Sequence, residues 1–70
     1  MYVQYDEKKN SVLIEVSPRQ LATLVAALGV TSDEDLWKSQ NVKREHMAMN
    51  YPLFRPLDKT YYKLRDKGVY

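Results

Sequence analysis

The residues most suited to chemistry in this chain form two short segments, and the first is acidic. Asp33, Glu34 and Asp35 are consecutive, and adjacent positions on a helix point in different directions, so their carboxylates do not converge on one substrate atom. They suit the first turn of a helix, where the helix dipole favours each negative charge by about 0.3–1 kcal/mol. We therefore predict a structural role for these three acids.

The second segment contains one imidazole and two thioethers. His46, Met47 and Met49 are ligand types that a soft metal such as Cu(I) accepts, but the chain has no cysteine and no second histidine to complete a site. Methionines more often fill gaps in cores or line adaptable interfaces. We predict no metal and no cofactor.

Catalytic motifs are not evident in the sequence. His46 is the single histidine, and no cysteine can act as a nucleophile. Gly29 and Gly68 each stand alone at a predicted helix end, so neither belongs to a phosphate-binding loop or a nucleophile elbow. We expect a protein that is not an enzyme.

The size and composition indicate one small folded domain, residues 1–70. Hydrophobic residues make up 44% of the 70 residues at a net charge of only +2, which argues against disorder. Without cysteines, so small a core depends on good packing or on self-association. The start of the chain does not resemble a secretory signal, and its longest apolar-rich run, Leu21–Val30, is too short for a bilayer of about 30 Å. We expect a cytoplasmic protein with no membrane partner.

Two strands are predicted at residues 2–5 and 12–16, on either side of the polar segment Asp6–Ser11. β-branched and aromatic residues favour strands, and Asn10 tolerates a positive φ in the turn. Because two strands alone are barely stable, we expect the β-hairpin to pack on a helix.

A helix is predicted over residues 18–28. Ser17 is a good N-cap, Pro18 suits the first helical position, and Gln20 completes a capping box. Gly29 is expected to take the left-handed conformation that ends the helix. Four apolar residues recur at helical spacing on one face: Leu21, Leu24, Val25 and Leu28. This nearly all-apolar helix should be enclosed on more than one side, by the hairpin and a second helix or by another subunit, and we predict a homodimer.

A short second helix is predicted from about 33 to 40. Thr31 or Ser32 is expected to be its N-cap, and Asn41 is expected to end it. The stretch from Ala27 to Thr31 resembles the turn of helix-turn-helix regulators, which would place this second helix against DNA. However, the chain has Asp35 where such regulators have an apolar residue, and the acidic first turn would repel phosphate. We therefore do not expect this helix to read DNA.

The last third of the chain is predicted to contain a loop and then a helix. Residues 42–56 show no clean period, and Pro52 and Pro56 break long elements. A C-terminal helix is expected over about 57–67, with Asp58 as N-cap and Gly68 as the stop. With the hairpin and the earlier helices, this predicts an α+β fold.

The charge is unevenly distributed. Residues 1–36 carry three basic and six acidic residues, whereas residues 37–70 carry eight basic and three acidic ones. Four cations lie in or near the last predicted helix, with Tyr62 nearby for base stacking: Lys59, Lys63, Arg65 and Lys67. Weak, salt-dependent nucleic-acid binding is therefore the alternative function.

Aromatic content favours a protein partner over nucleic acid. The chain has six tyrosines and one tryptophan, types enriched in interface cores. The predicted partner-binding residues are Trp37, Tyr51, Phe54, Arg55 and Tyr62. The same residues could instead complete the core. The leading hypothesis is a small non-enzymatic protein-binding module, and its size is typical of phage and bacterial regulators, inhibitors or accessory subunits.

Overall fold

The structure, a computed structural model, describes residues 1–38 and 42–70. A β-hairpin is followed by three α-helices, with one turn of 3₁₀ helix at Arg44–His46. The elements are β1 Tyr2–Asp6, β2 Ser11–Glu15, α1 Pro18–Gly29, α2 Asp33–Trp37 and α3 Asn50–Asp66. The predicted α+β fold is confirmed. The predicted end of the second helix, at about 40 with Asn41 as its stop, lies outside the described residues.

The hairpin forms where the sequence predicts it. β1 and β2 are antiparallel, in register from the Tyr2–Glu15 pair to the Asp6–Ser11 pair. Asn10 closes the turn with φ +48°, a conformation that asparagine adopts more readily than most residues.

The predicted packing of the hairpin on the first helix is wrong. Every residue of both strands is exposed, and α1 packs extensively on α3 instead. Within the single chain the two strands pair only with each other, and the helices leave their side chains uncovered.

The start of α1 confirms the predicted capping box. The Gln20 N–H donates to Ser17 Oγ at 3.2 Å, and the Ser17 N–H donates to Gln20 Oε1 at 2.9 Å. Two of the free N–H groups at the helix start are thereby satisfied.

The end of α1 differs from the prediction, because Gly29 is helical rather than left-handed. Other donors satisfy the last carbonyl groups. Thr31 Oγ1 donates to the Ala27 carbonyl at 2.7 Å, and Asn50 Nδ2 donates to the Leu28 carbonyl at 3.0 Å. With these donors in place, the helix ends without a left-handed residue.

α3 begins at Asn50, seven residues before the predicted start at 57. Pro52 is compatible with this start because the first N–H groups of a helix need no partner within it. Pro56 lies inside the helix and removes one hydrogen bond. Phe54 and Leu57, on either side of it, are half-buried, and this packing holds the helix together through the proline.

The N-cap of α3 also differs from the prediction. Asp58 lies within the helix and is not its N-cap. Met49 occupies the N-cap position and its side chain caps nothing. At the other end Gly68 adopts φ +80°, the left-handed conformation predicted for a helix stop.

The core between α1 and α3 is thin. Within residues 1–38 and 42–70, only Leu21 and Val25 are buried, at 6% and 8% exposure. The half-buried apolar residues of α3 share one face: Phe54, Leu57, Tyr61 and Leu64. Within a single chain, the hairpin and a second helix do not enclose α1 on more than one side, since Leu24 remains 36% exposed; enclosure by another subunit stays a prediction. No helix in the described residues combines the length and apolar character needed to cross a membrane.

Candidate protein-binding surface

Three of the five predicted partner-binding residues lie together on one exposed face of α3. Tyr51, Arg55 and Tyr62 are all exposed. At 3.6 residues per turn their positions fall within about 40° of one another around the helix axis, and they span about 16 Å along it. The half-buried apolar side chains of α3 are centred about 120° away around the helix axis, whereas the half-buried Asp58 lies on the same side as Tyr51.

Two of the predicted nucleic-acid residues share this face. Lys59 and Lys63 follow Arg55 at four-residue intervals, each about 40° further around the helix. Both are exposed, and they line a shallow groove together with Tyr62 and the acidic Asp66. We call the set Tyr51, Arg55, Lys59, Tyr62 and Lys63 the α3 outer face. It combines aromatic rings with positive charge.

The other two predicted nucleic-acid residues lie near the C-terminal end of the α3 outer face. The Arg65 guanidinium carbon lies 5.6 Å from the centroid of the Tyr62 ring, within reach of a cation–π interaction. Lys67 is exposed and follows directly after the last helical residue. Arg65 therefore adds positive charge beside Tyr62.

Phe54 is placed differently from the exposed aromatic residues. It is half-buried, and its ring reaches α1, where Cε2 lies 3.5 Å from the position that a Cβ on Gly29 would occupy. Phe54 thus contributes to the contact between α1 and α3.

Trp37 also lies apart from the α3 outer face. It is half-buried on α2, and the Arg44 guanidinium lies over its ring, 3.8 Å from the centroid. This cation–π contact joins the end of α2 to the 3₁₀ turn.

Tyr62 is connected to the body of the protein through a tyrosine cluster. Its ring lies edge-on to Tyr61 with 5.6 Å between centroids, and Tyr61 lies 4.8 Å from Tyr70. The Tyr70 hydroxyl donates to the Pro18 carbonyl at 2.5 Å. Partial removal from water, followed by the neighbouring Tyr61, raises the pKa of Tyr70. Through Tyr61 and Tyr70, the part of α3 that carries Tyr62 is connected to the first residue of α1.

Two residues of the acidic run, Glu34 and Asp35, have partners close by in the sequence. Ser32 is the N-cap of α2 and forms a capping box with Asp35. Hydrogen bonds from the Ser32 side chain and backbone lower the pKa of Asp35, and the nearby Lys38 charge lowers it further. Glu34 forms an exposed ion pair with Lys38 at 3.3 Å. These carboxylates serve the helix start.

Asn50 connects three elements and is missed by sequence reasoning. Its Nδ2 donates to the carbonyls of Leu28 and Thr31, and its backbone N–H donates to Asp33 Oδ1 at 2.6 Å. Its Oδ1 is buried and has no hydrogen-bond partner among the described residues. Asn50 therefore ties the end of α1 and the start of α2 to the start of α3. The partners lie 17 to 22 residues away, so local sequence patterns do not reveal them.

The segment around His46 shows an exposed imidazole whose Nε2 lies 3.9 Å from Glu45 Oε1. In the parts of the chain that the structure describes, no three side chains of the His, Cys, Asp or Glu type are grouped to hold a metal ion.

Comparison of the chain with protein-family models, curated proteins and solved structures gives no match. A functional proposal therefore starts from the surface chemistry described above.

Proposed function

We propose that this protein is a non-enzymatic protein-binding module, a regulator, inhibitor or accessory subunit that acts through the α3 outer face. The supporting observation is that Tyr51, Arg55 and Tyr62 share one exposed face of a helix whose other face packs in the core. Tyrosine and arginine are over-represented among the residues that dominate binding energy. A helix holds them in place before binding, which reduces the ordering cost of association.

The partner we infer presents an acidic protein surface with apolar pockets. Tyr51 and Tyr62 are 66% and 50% exposed, so each offers a large ring with a polar tip. Arg55, Lys59 and Lys63 supply positive charge between and beside the rings. Complementary charge speeds association and orients the partner.

The test is affinity capture from a lysate of the source cells, with and without nuclease. Tyr62→Ala is compared with Tyr2→Ala, a matched control because Tyr2 is 51% exposed but lies on the hairpin. We expect Tyr62→Ala to weaken capture of the protein partner by about tenfold or more, and Tyr2→Ala to retain it. Equal capture by both folded variants would rule out the α3 outer face.

Nucleic-acid binding is the second candidate. It is supported by the cations around the exposed Tyr62 ring, since phosphates and a stacked base would need that combination. The cations are Lys59, Lys63, Arg65 and Lys67. A few phosphate contacts would give weak binding that falls steeply with salt.

Fluorescence anisotropy with labelled single-stranded DNA and RNA tests this candidate. On this alternative, a Lys59→Ala, Lys63→Ala double variant binds more weakly, whereas Lys8→Ala, Lys9→Ala in the hairpin turn does not. No binding by the wild type at about 50 mM salt would exclude nucleic acid as the partner.

We also propose that the protein forms a homodimer, and its large solvent-exposed area supports this. The chain exposes 6255 Å², whereas a folded monomer of 8.3 kDa is expected to expose about 4,600 Å². The excess is about 1,700 Å². Sedimentation equilibrium tests it, and a monomer at about 100 μM would contradict a dimer of micromolar affinity.

A further inference from the structure

Asp66 is an acidic residue on the basic side of α3. It is the last residue of the helix and is exposed. At 3.6 residues per turn it lies about 40° from Tyr62 and about 20° from Lys59 around the helix axis, and about 6 Å beyond Tyr62 along it. Asp66 therefore lies between the tyrosine and the lysines of the α3 outer face.

The groove beside Tyr62 contains this carboxylate together with both lysines. Lys59, Thr60, Tyr62, Lys63 and Asp66 line it. The Thr60 hydroxyl donates to the Pro56 carbonyl at 2.9 Å, so its proton is already used. The other four side chains supply one aromatic ring, two ammonium groups and one carboxylate. A ligand that fills the groove must therefore match both signs of charge.

Asp66 occupies a position where a negative charge does not stabilise the helix. The C-terminal end of a helix carries the negative end of its dipole and favours cations over anions. In the described part of the chain the Asp66 carboxylate forms no ion pair. The helix end is completed without it, since the Gly68 N–H donates to the Arg65 carbonyl at 3.0 Å. A residue that breaks a local rule without such a gain is expected at a functional site.

We propose that Asp66 determines which partner the α3 outer face accepts. It pairs with a lysine or arginine on a protein surface that is otherwise acidic, and it excludes nucleic acid. This inference rests on the proposed function and adds the charge pattern of the partner. A protein surface can present acidic groups to Lys59 and Lys63 and a cation to Asp66, whereas every phosphate of a nucleic acid has the same sign of charge.

The spacing of Lys63 and Asp66 explains why the two kinds of partner are separated. Residues three positions apart are neighbours on a helix surface, so a phosphate that approaches Lys63 also meets the carboxylate. Like charges brought together in a binding site oppose association, and such a repulsive group is one way in which a protein discriminates between partners. The charge pattern of the groove therefore favours a protein over nucleic acid.

The first test measures binding of a fluorescein-labelled oligothymidylate at about 50 mM salt by anisotropy. Asp66→Asn keeps the size of the side chain and removes its charge. Glu7→Gln is the matched control, since it makes the same change in net charge on the exposed hairpin turn. We expect Asp66→Asn to lower the dissociation constant by about threefold or more, or to make binding measurable where the wild type shows none. Glu7→Gln should behave as the wild type.

The second test reverses the charge. Asp66→Lys should strengthen oligothymidylate binding further, and it should weaken capture of the protein partner by about tenfold or more, because the partner's cation then meets a cation. Glu7→Lys makes the same change in net charge and should retain capture. Protein and nucleic acid are therefore expected to respond to Asp66→Lys in opposite directions.

Several results would overturn the proposal. Equal oligothymidylate binding by wild type and Asp66→Asn, including no binding by either, shows that the carboxylate excludes nothing. An equal gain in Glu7→Gln assigns the effect to net charge. Retained capture by Asp66→Lys removes the paired cation of the partner. Failure of the proposed function is seen separately, as equal capture by Tyr62→Ala and Tyr2→Ala, and the oligothymidylate measurement still decides whether Asp66 excludes nucleic acid.

Thermal unfolding distinguishes this role from a structural one. Asp66→Asn should unfold at the wild-type temperature or above it, because the charge that it removes is unfavourable at the end of the helix. A midpoint lower than that of the wild type by more than about 4 °C would show that Asp66 stabilises α3, and it would overturn the proposal.

Discussion

Asp33 Oδ1, in the first turn of α2, accepts a 2.6 Å hydrogen bond from the main-chain N–H of Asn50, the first residue of α3. Met49 at the N-cap of α3 provides no side-chain hydrogen bond. A carboxylate from 17 residues away therefore supplies a cap that the local sequence lacks, and it places negative charge at the positive end of the α3 dipole.

Asp33→Ala should lower the free energy of unfolding by about 1 kcal/mol, as for the loss of a helix cap. Asp33→Asn keeps an acceptor oxygen and should cost less. Urea denaturation followed by circular dichroism measures both. The control is Glu34→Ala, which removes an exposed ion pair with Lys38 and a favourable charge in the first turn of α2 but no hydrogen bond to α3, and it should cost less than Asp33→Ala. Equal losses for Asp33→Ala and Glu34→Ala would contradict the capping role.

Asn50→Asp should destabilise the fold by about 2 kcal/mol, since two hydrogen bonds from Nδ2 to carbonyl groups are each worth about 1 kcal/mol. The substitution preserves the shape of the side chain but replaces the donor by an acceptor. Chemical denaturation measures the loss. A change below about 0.5 kcal/mol would mean that Asn50 does not hold the ends of α1 and α2 as described.

Alanine at the two glycines should have opposite effects. Gly29 is helical, and an added Cβ would lie in ordinary contact with the Phe54 ring at 3.5 Å, so Gly29→Ala should stabilise by about 0.5–1 kcal/mol. Gly68 has φ +80°, so Gly68→Ala should destabilise by about 1–2 kcal/mol. Thermal unfolding of both variants measures the pair. A loss of stability in Gly29→Ala would indicate a left-handed Gly29.

Acid should weaken the start of α2 through Asp35. The hydrogen bonds from Ser32 hold the pKa of Asp35 below its ordinary value of 3.8, so the folded state favours the ionised carboxylate. That contribution to stability is present above about pH 4 and is lost as the pH falls through the lowered pKa. Unfolding free energies measured between about pH 5 and pH 2 should fall less steeply in Asp35→Asn. Ser32→Ala should also flatten the curve, and an unchanged slope in both variants would contradict this role.

Local signals account for the parts of the fold that the sequence predicts. The capping boxes of Ser17 with Gln20 and of Ser32 with Asp35 link residues three positions apart, and Asn10 shapes its own turn. These interactions form within a few residues, so propensity and spacing are sufficient to find them.

The candidate site can be predicted only in part from the sequence. Its residue types are visible there, but Tyr51 and Arg55 fall on the same face as Tyr62 only if α3 continues through Pro56. Sequence reasoning ends an element at proline because of the lost hydrogen bond. The half-buried Phe54 and Leu57 show why the helix continues, since their packing outweighs that local cost.

Local sequence is enough to predict the hairpin, the capped starts of α1 and α2, and the end of α3 at Gly68, because each depends on neighbours within a turn or a strand pair. Long-range contacts, in contrast, determine that α3 starts at Asn50, that Gly29 is helical, and that α1 packs on α3 and leaves the hairpin open. These features depend on contacts between residues far apart in the chain, such as Asn50 with Asp33. Their energies come from packing and from helix ends satisfied by residues distant in the chain, and no local pattern encodes such contacts.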